Sequence, residues 1–521
     1  MPEIFDIVLR GGTIIDGTGG PVYSADIAVR GNKITEIGPL PADVQTKTVV
    51  DAAGLVVTPG FIDIHTHADI ALLARPQHLP KIMQGVTTEV FTNCGLGFAP
   101  INENALKIQR QYIAGLFGDD GGIEWTWRTV ADFLERFETG GIGANIAYLI
   151  PHGAVRVSVM GMEERAATSQ ELVLMQAMVA QGMEEGAWGL STGVWYAPMR
   201  AADRQELVTL CRTAGFFATH QRDYGDSIFA ATEESVAIAR ESGAILQISH
   251  LQMNGPANAN RAGTLLALLD DVRREGIDVT CDTYPYTAGS TFIQSLLPSW
   301  AVDGGPEAIL RRLRESETRT RILRFLDDAH LDSARYNLVG ATSSANSAYE
   351  GQTFASIAES RQISPAELVC CLLEEEDLRA CYVHHAAHEG NVRDILQWPG
   401  QMVGSDGLHL PGKTHPRLYG TFSRVLGHYA REEKVLTLES AIHKMTGMPA
   451  ARLGLQGRGT LAVGHAADIA VFDPQTISDA ATFDDPLRYP TGIPYVFVNG
   501  VAVKWNDAPT GALAGQVLRR V

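Results

Sequence analysis

Residues 55–67 read LVVTPGFIDIHTH, an apolar run that ends in two histidines separated by one residue. The run has the β-branched composition of a buried strand, and Pro59-Gly60 supplies a turn signal before the histidines. Side chains at positions i and i+2 of a strand lie on the same face, so His65 and His67 can reach one metal ion. An HxH pair alone is a weak signal, but its place at the end of an apolar strand strengthens it.

Seven further strand-like segments follow, and amphipathic helix patterns separate most of them. Eight such strands are the number that closes a parallel (β/α)8 TIM-type barrel. Functional side chains of such barrels cluster at the strand C-termini, and each predicted strand ends in His, Cys, Asp or Ser. The predicted strands are Leu55–His65, Val86–Cys94, Ala144–His152, Ala187–Ser191, Phe216–His220, Ile245–His250, Ile277–Asp282 and Met402–Asp406.

Both ends of the chain differ from the middle in their sequence pattern. Residues 1–56 and 456–521 contain short β-branched runs broken by Gly, Asn and Asp, a pattern typical of hairpins. We therefore predict an α/β protein in which both termini build one small β-sandwich domain. The barrel then occupies residues 57–455.

The interval between predicted strands seven and eight is unusually long. It holds about 120 residues, whereas a simple βαβ unit needs about 30. We therefore predict an insertion around residues 290–400, with helices at Ala308–Phe325 and Pro365–Glu376 and a strand at Tyr336–Val339. Such an insertion is suited to cover the barrel mouth as a lid.

Composition and charge exclude several classes of protein. The 521 residues carry a formal net charge of −18, which nucleic acids and anionic membranes would repel, so we expect neither as a partner. No apolar run reaches the length of a membrane span, and the N-terminus lacks a secretory-signal pattern. The six cysteines fit reduced thiols in a large chain. We therefore expect a cytoplasmic protein.

Six candidate metal ligands lie at the ends of five predicted strands, the first, second, fifth, sixth and eighth. Each has an ordinary alternative, such as a buried cysteine, a core histidine or an Asp-Gly turn, but chance does not readily place all of them at strand ends. Imidazole, thiolate and carboxylate together suit zinc, which activates water and polarises a carbonyl. GxSxG and Walker-type motifs are absent. The six candidate ligands are His65, His67, Cys94, His220, His250 and Asp406.

Seven motifs spread over nearly the whole chain add a family resemblance, and the last two are long enough to be specific. They are PGFIDIHTH at 59–67, GLSTG at 189–193, HQR at 220–222, DTYPY at 282–286, SDG at 405–407, HPRLYGTF at 415–422 and KMTGMPA at 444–450. With these motifs the chain resembles the amidohydrolase superfamily, and within it the D-aminoacylase (N-acyl-D-amino-acid deacylase) family.

The resemblance implies zinc-dependent hydrolysis of N-acyl-D-amino acids to a carboxylate and a free D-amino acid. It implies one tightly held zinc ion on Cys94, His220 and His250. It implies a second, weaker metal position at the remaining candidates, with Asp406 as catalytic acid/base. Many superfamily relatives bridge two metals with a carboxylated lysine on strand four. Here residues 186–191 contain no lysine, which fits the cysteine variant.

The resemblance also implies how the substrate is held. In the family a tyrosine, an arginine and a lysine bind the substrate carboxylate, and Tyr284 and Arg417 match the first two. Gln252 stands where the family has its lysine, and an amide donates hydrogen bonds without bringing charge. Either Arg417 suffices, or the site is adapted to an uncharged N-acyl substrate. Tyr196 is a further candidate for substrate binding.

Two other functions remain open. A cyclic amidase of the hydantoinase kind is one, although the missing strand-four lysine and the presence of Cys94 count against it. A catalytically inactive assembly protein with the same fold is the other, but such a protein has lost its ligands and all six candidates are present here. A small-molecule N-acyl compound is therefore the expected partner.

Overall fold

The structure, a computed structural model, describes residues 4–118 and 121–520. Its strands, in chain order, are β1 Phe5–Ile14, β2 Tyr23–Arg30, β3 Lys33–Gly38, β4 Thr46–Asp51, β5 Val56–Pro59, β6 Phe61–Asp63, β7 Val86–Phe91, β8 Asn145–Pro151, β9 Gly189–Gly193, β10 Phe216–His220, β11 Ile245–Ile248, β12 Val279–Thr283, β13 Gly289–Phe292, β14 Tyr336–Val339, β15 Cys381–His384, β16 Gln401–Val403, β17 Ile469–Phe472, β18 Tyr495–Val498, β19 Val501–Trp505 and β20 Ala508–Pro509.

The helices surround and connect these strands. They are α1 Asp69–Ala74, α2 Leu79–Ile82, α3 Glu103–Tyr112, α4 Ala114–Phe117, α5 Val130–Gly140, α6 His152–Met160, α7 Ser169–Glu184, α8 Arg204–Ala214, α9 Ile228–Ser242, α10 Ala262–Arg274, α11 Ser299–Val302, α12 Pro306–Arg314, α13 Ser316–Asp328, α14 Phe354–Arg361, α15 Pro365–Glu375, α16 Glu389–Gln397, α17 Arg417–Arg424, α18 Leu438–Met445 and α19 Gly447–Leu453.

Eight parallel strands form the central sheet, in the order β6, β7, β8, β9, β10, β11, β12 and β16. The two outer strands meet where Thr66 pairs with Gly407 in a parallel bridge. Next to it, the Asp406 amide donates to the His65 carbonyl over 2.9 Å. The sheet therefore closes into a barrel, which confirms the predicted (β/α)8 fold. Its strands are buried on both faces, as in β8, because helices cover the outside.

Capped helices separate the barrel strands. α5 and α7 each begin with a capping box, at Thr129 and Thr168, in which the threonine hydroxyl accepts from the N3 amide. Asp203 caps α8 through its side chain in a similar way. These caps satisfy amides that would otherwise lack partners, so the helices start where the sequence places Thr or Asp.

Both ends of the chain contribute to one nine-stranded sheet. Its order is β20-β19-β18-β17-β5-β1-β2-β3, and β4 pairs with β1 in parallel. Leu9 and Ile27 from the N-terminal part share a buried core with Ile469 and Phe497 from the C-terminal part. Because this core draws on both ends, neither end can bury its apolar face alone.

Two predicted elements are each divided in the structure. The predicted strand Leu55–His65 splits at Gly60, so that β5 joins the terminal sheet and β6 joins the barrel. A Cβ atom at Gly60 would collide with Thr87, so this close crossing requires glycine. The predicted helix Ala308–Phe325 breaks at Glu315, whose backbone is extended, into α12 and α13.

The predicted insertion is a small layered unit. β13, β15 and β14 form a three-stranded antiparallel sheet, and α11 to α15 accompany it. The strand predicted at Tyr336–Val339 is β14, and the helix predicted at Pro365–Glu376 is α15, which ends one residue earlier. Among the helices of the described residues, none combines the length and apolar character needed to cross a membrane.

Candidate metal centre

The six predicted ligands converge at the C-terminal end of the barrel, and none is more than 7% exposed. One group of three donor atoms contains a sulfur, because Cys94 Sγ is 3.4 Å from His65 Nε2 and 3.3 Å from His250 Nε2. A second group of three contains a carboxylate oxygen, because Asp406 Oδ1 is 3.4 Å from His65 Nε2 and 3.1 Å from His67 Nε2. His65 therefore belongs to both groups.

His220 lies next to the group formed by His65, Cys94 and His250. Among the described residues, it is not itself part of a group of three closely spaced donor atoms. Its ring centroid lies 4.5 Å from that of His250, and it stacks on Trp195 at 5.5 Å. His220 Nδ1 is buried and has no hydrogen-bond partner among the described residues. The structure thus places His65, rather than His220, next to Cys94, while His220 keeps a free nitrogen beside them.

The donor set fits a zinc ion. Donor atoms around a tetrahedral zinc ion lie about 3.5 Å apart, close to the separations around Cys94. Within the described residues, His67 Nδ1 also lacks a hydrogen-bond partner. Burial raises the pKa of the Cys94 thiol to about 11, so its thiolate needs a cation beside it. A soft divalent metal satisfies each of these groups.

Three of the six residues adopt left-handed backbone angles. The φ angles are 57° at Cys94, 33° at His250 and 49° at Asp406. For residues other than glycine such angles cost about 1–3 kcal/mol each and persist only where surrounding contacts hold them. The Asp406 amide is held by the His65 carbonyl, and the His250 amide donates to Asp282 Oδ1 over 2.7 Å. The strain directs these side chains into the barrel mouth.

Asp282 is a functional residue that the sequence interpretation left unassigned. Its Oδ1 lies 2.9 Å from His65 Nδ1, and its Oδ2 accepts from Gln247 Nε2 over 2.9 Å. The first contact turns His65 so that Nε2 faces the other donors, a common arrangement behind metal-binding histidines. The available signal was its position at the end of the seventh predicted strand.

The charges around the site outweigh the effect of burial at the carboxylate, whereas burial dominates at two histidines. Burial favours neutral Asp406, but the guanidinium of Arg417 and the ring of His65 hold its pKa well below its usual range. Burial lowers the pKa of His250 to about 4 and holds the pKa of His220 well below its ordinary value. At neutral pH both rings are therefore unprotonated and able to bind a metal.

A cavity of about 260 Å³ is lined by five of the six residues, all except His65. Trp195 and Leu116 line it from segments that follow barrel strands. The insertion supplies another wall through Thr291, Tyr336 and Tyr382. The segment expected to act as a lid therefore helps to enclose the cavity above the metal-binding side chains.

The predicted substrate-binding residues occupy different positions relative to this cavity. Tyr284, Tyr196 and Gln252 line it. The Tyr196 hydroxyl is 3.1 Å from Thr291 Oγ1, and Gln252 Nε2 donates to the Tyr286 carbonyl over 3.2 Å. Gln252 is thus already engaged by the protein.

Arg417 lies behind the cavity wall. It is fully buried and is absent from the described residues that line the cavity. Its Nη1 is 2.9 Å from Asp406 Oδ2, and its Nη2 donates to the Ser290 carbonyl over 3.2 Å. Its guanidinium also sits 4.6 Å from the centroid of the Tyr284 ring. A carboxylate clamp on Arg417 is therefore not open to the cavity in this structure.

Comparison with known proteins fits this geometry. A family model described as "Amidohydrolase family" matches residues 48–504. The chain belongs to the amidohydrolase family. Within it, this amidohydrolase is 38% identical to the D-aminoacylase of Alcaligenes xylosoxydans xylosoxydans over 99% of this chain and 98% of that protein. The match confirms the resemblance to the D-aminoacylase family.

Solved structures agree with this placement. A crystal structure of D-aminoacylase matches this amidohydrolase with a TM-score of 0.84 at 36% identity, covering 99% of this chain and 100% of that one. An N-acyl-D-glutamate deacylase from Bordetella bronchiseptica, complexed with zinc and a phosphonate inhibitor, matches with a TM-score of 0.84 at 33% identity. That match covers 99% of this chain and 100% of the deacylase chain.

Proposed function

We propose that this amidohydrolase hydrolyses the amide bond of N-acyl-D-amino acids and releases a carboxylate and a free D-amino acid. The observation that carries the proposal is the buried cluster of thiol, imidazole and carboxylate at the C-terminal end of the barrel, with donors 3.1 to 3.4 Å apart. The D-aminoacylase relative, 38% identical over nearly the full length, supports the substrate class.

The proposed cofactor is zinc. We assign one tightly held ion to Cys94, His220 and His250, and a second, weaker position to His67 and Asp406, with His65 between the two. When bound, zinc supplies a Lewis acid that activates water and polarises the amide carbonyl. The free nitrogen of His220 and the close approach of His250 to Cys94 support the first assignment.

Asp406 is the proposed general acid/base. Arg417 keeps its carboxylate ionised, so Asp406 can take a proton from the attacking water. This role is supported by the position of its Oδ1, which lies 3.4 Å from His65 Nε2 and 3.1 Å from His67 Nε2 in the donor cluster. The same oxygen can then pass that proton to the leaving nitrogen, so that the amine departs neutral.

A second candidate substrate is an N-acyl compound without a free carboxylate. Among the described residues that line the cavity there is neither lysine nor arginine. Gln252 is neutral and hydrogen-bonded to the backbone, and Arg417 pairs with Asp406. A substrate carboxylate must therefore draw Arg417 away from Asp406, whereas a carboxamide needs no such exchange.

We also propose that the protein works in the cytoplasm with a small molecule as its partner. Cys94 must stay a reduced thiol to bind a metal, and the cytoplasm keeps thiols reduced. The net charge of −18 disfavours nucleic acid as a partner.

The deciding experiment is a hydrolysis screen of N-acetyl-D-amino acids, their L enantiomers and the matching D-carboxamides, with hydantoins included. We expect turnover of the D-amino acid derivatives, loss of turnover after chelation, and recovery on adding zinc. Turnover of carboxamides alone would favour the second candidate, and turnover of hydantoins alone would favour a cyclic amidase. Absence of stoichiometric zinc together with absence of turnover would indicate an inactive assembly protein.

A further inference from the structure

The seam of the barrel lies between β6 and β16, and it carries half of the donor cluster. Phe61–Asp63 and Gln401–Val403 are the two shortest strands of the central sheet. In the described chain the contact between their ends is the single bridge of Thr66 with Gly407, reinforced by the bond from the Asp406 amide to the His65 carbonyl. A ladder this short gives little support to the side chains that follow it.

A buried charged cluster joins the two sides of this seam. Lys81 Nζ donates to Asp63 Oδ2 and to Ser405 Oγ, each over 2.5 Å. Asp63 Oδ1 accepts from the Ser405 amide over 2.8 Å and from the His65 amide over 3.3 Å. Ser405 Oγ in turn accepts from the Gly407 amide over 3.1 Å. We call Lys81, Asp63 and Ser405 the seam clasp.

Three bonds of the seam clasp reach a proposed metal ligand or its direct neighbour. The bond to the His65 amide fixes the backbone of one ligand. The bonds to the Ser405 and Gly407 amides fix the residues on both sides of Asp406, whose backbone is left-handed. The clasp thus supplies contacts that this strained conformation requires.

The seam clasp is fully buried and outside the reacting site. Lys81, Asp63 and Ser405 are each 0% exposed, and none of them lines the cavity. A buried ion pair contributes little net stability compared with apolar residues of the same size, because desolvation offsets its attraction. Stability alone therefore gives no strong reason for a charged pair at this place.

We propose that the seam clasp is a positioning device, in which Lys81 ties β6 to β16 and thereby aligns His65 and Asp406 in the donor cluster. Lys81 acts through these two residues and does not touch substrate. The expected change in kcat rests on the proposed function. The expected change in zinc affinity does not depend on it. The tightly held ion, which we assign to Cys94, His220 and His250, takes none of these three ligands from the seam and should depend on the clasp much less.

The primary test is Lys81→Met, which keeps the length of the side chain and removes its charge. We expect kcat to fall about 10- to 100-fold, as is typical when a residue behind a metal ligand is removed, with KM within about threefold. The chelator-stripped variant should then be titrated with zinc. Its tight site should bind zinc as strongly as that of the wild type, and its weaker site should bind zinc about 10- to 100-fold less strongly. Lys504→Met is the matched control, because Lys504 is equally buried but lies away from the seam, where it donates to the Met83 carbonyl and lies 4.0 Å from Asp507 Oδ1.

A double variant separates positioning from folding. Lys81→Met leaves the Asp63 carboxylate unpaired and should lower the midpoint of thermal unfolding. Lys81→Met with Asp63→Leu removes both members of the short ion pair and leaves Glu89, the second carboxylate near Lys81, paired with His78, so it should recover much of that stability. Positioning predicts that kcat and the weaker zinc affinity stay low in this double variant. If both recover together with stability, or if Lys81→Met keeps both at the wild-type level, the proposal is overturned.

Failure of the proposed function gives a different result. A wild-type protein that turns over none of the N-acyl substrates would contradict the proposed function. The zinc titration of Lys81→Met against wild type would still decide the role of the clasp.

Discussion

The two halves of the donor cluster lie in opposite kinds of surroundings. Cys94, His220 and His250 form the aromatic half, in which the His220 ring contacts Trp195, Tyr196 and Tyr224 at centroid distances of 5.5, 4.7 and 5.0 Å. His65, His67 and Asp406 form the seam half, in which Asp282 and Arg417 are charged partners within 2.9 Å.

The difference explains why two metal positions in one cavity should differ in affinity. In the aromatic half the two histidines are neutral, and the charged ligand is the Cys94 thiolate, which forms when the metal binds. In the seam half Arg417 already pairs with Asp406, so a cation must compete with the guanidinium for the carboxylate. We therefore expect the tight ion in the aromatic half and the weaker ion in the seam half.

The largest effect should follow from Cys94→Ala. Loss of the thiolate removes the main anchor of the aromatic half, so the zinc that survives dialysis of the wild type should be lost and activity should fall below detection. Metal analysis with a kinetic assay measures both. Cys211→Ala is the control, since Cys211 is equally buried but lies in helix α8. Full zinc and full turnover in Cys94→Ala would contradict the assignment.

Asp406→Asn should have the next largest effect. Asparagine cannot accept the proton of the attacking water, so kcat should fall by about 10²–10⁴, the usual range for a general acid or base. The tight zinc should remain, because Asp406 belongs to the seam half. Asp479→Asn, which changes a carboxylate paired with Arg424, should leave kcat unchanged. Wild-type turnover in Asp406→Asn would make Asp406 an ordinary turn residue.

Arg417→Ala tests two roles of this guanidinium, binding of the substrate carboxylate and competition with zinc for Asp406. Without the guanidinium, an N-acyl amino acid should lose about 10² in kcat/KM because its carboxylate is left unpaired. The matching carboxamide should be affected much less. The weaker zinc should bind more tightly, since its competitor for Asp406 is gone. Calorimetric zinc titration and kinetics with both substrates measure these changes.

The control for Arg417→Ala is Arg424→Ala, whose guanidinium lies 5.1 Å from the Tyr286 ring centroid and pairs with Asp479. Equal losses for the acid and the carboxamide in Arg417→Ala would contradict a carboxylate-binding role. Weaker zinc binding in that variant would contradict the competition between the guanidinium and the metal.

The smallest effect concerns the pH dependence of stability in the zinc-free protein. The pKa of His250 is about 4 when folded and 6.5 ordinarily, so the unfolded state binds the extra proton first. The contribution of this ring to the free energy of unfolding is therefore fully present above about pH 6.5 and is lost as the pH falls toward 4. The loss amounts to about 3 kcal/mol, since one pKa unit corresponds to about 1.4 kcal/mol.

Denaturant unfolding at several pH values checks the sign. His250→Asn should show a shallower fall between pH 6.5 and 4 than the wild type. His388→Asn, which changes a half-buried histidine bonded to the Gly255 carbonyl, should keep the wild-type slope. An unchanged slope in His250→Asn would contradict the burial of a neutral ring.

The sequence predicted the barrel and the general location of the site well. Strand β10 begins and ends where the pattern placed it, at Phe216 and His220. The prediction succeeded because parallel barrel strands are buried on both faces and all point the same way. Apolar runs that end in ligand residues therefore gather those residues at one mouth.

The divisions within the predicted elements were harder to predict. The turn signal at Pro59-Gly60 does not reveal that the two ends of this run belong to different sheets. The backbone of Gly60 passes so close to Thr87 that a Cβ atom would collide with it, and this contact appears only in the folded chain. A local apolar pattern predicts that a segment is buried. It does not predict which sheet the segment joins.

The sequence by itself determined the order of the elements, the set of donor atoms and the neutral Gln252, because each depends on residue type and local periodicity. The tertiary structure decided that His65 neighbours Cys94, that Arg417 faces Asp406, and that Lys81 holds the seam. Those contacts join residues that belong to different elements, and their geometry follows from how the barrel closes. Local propensity carries no information about that closure.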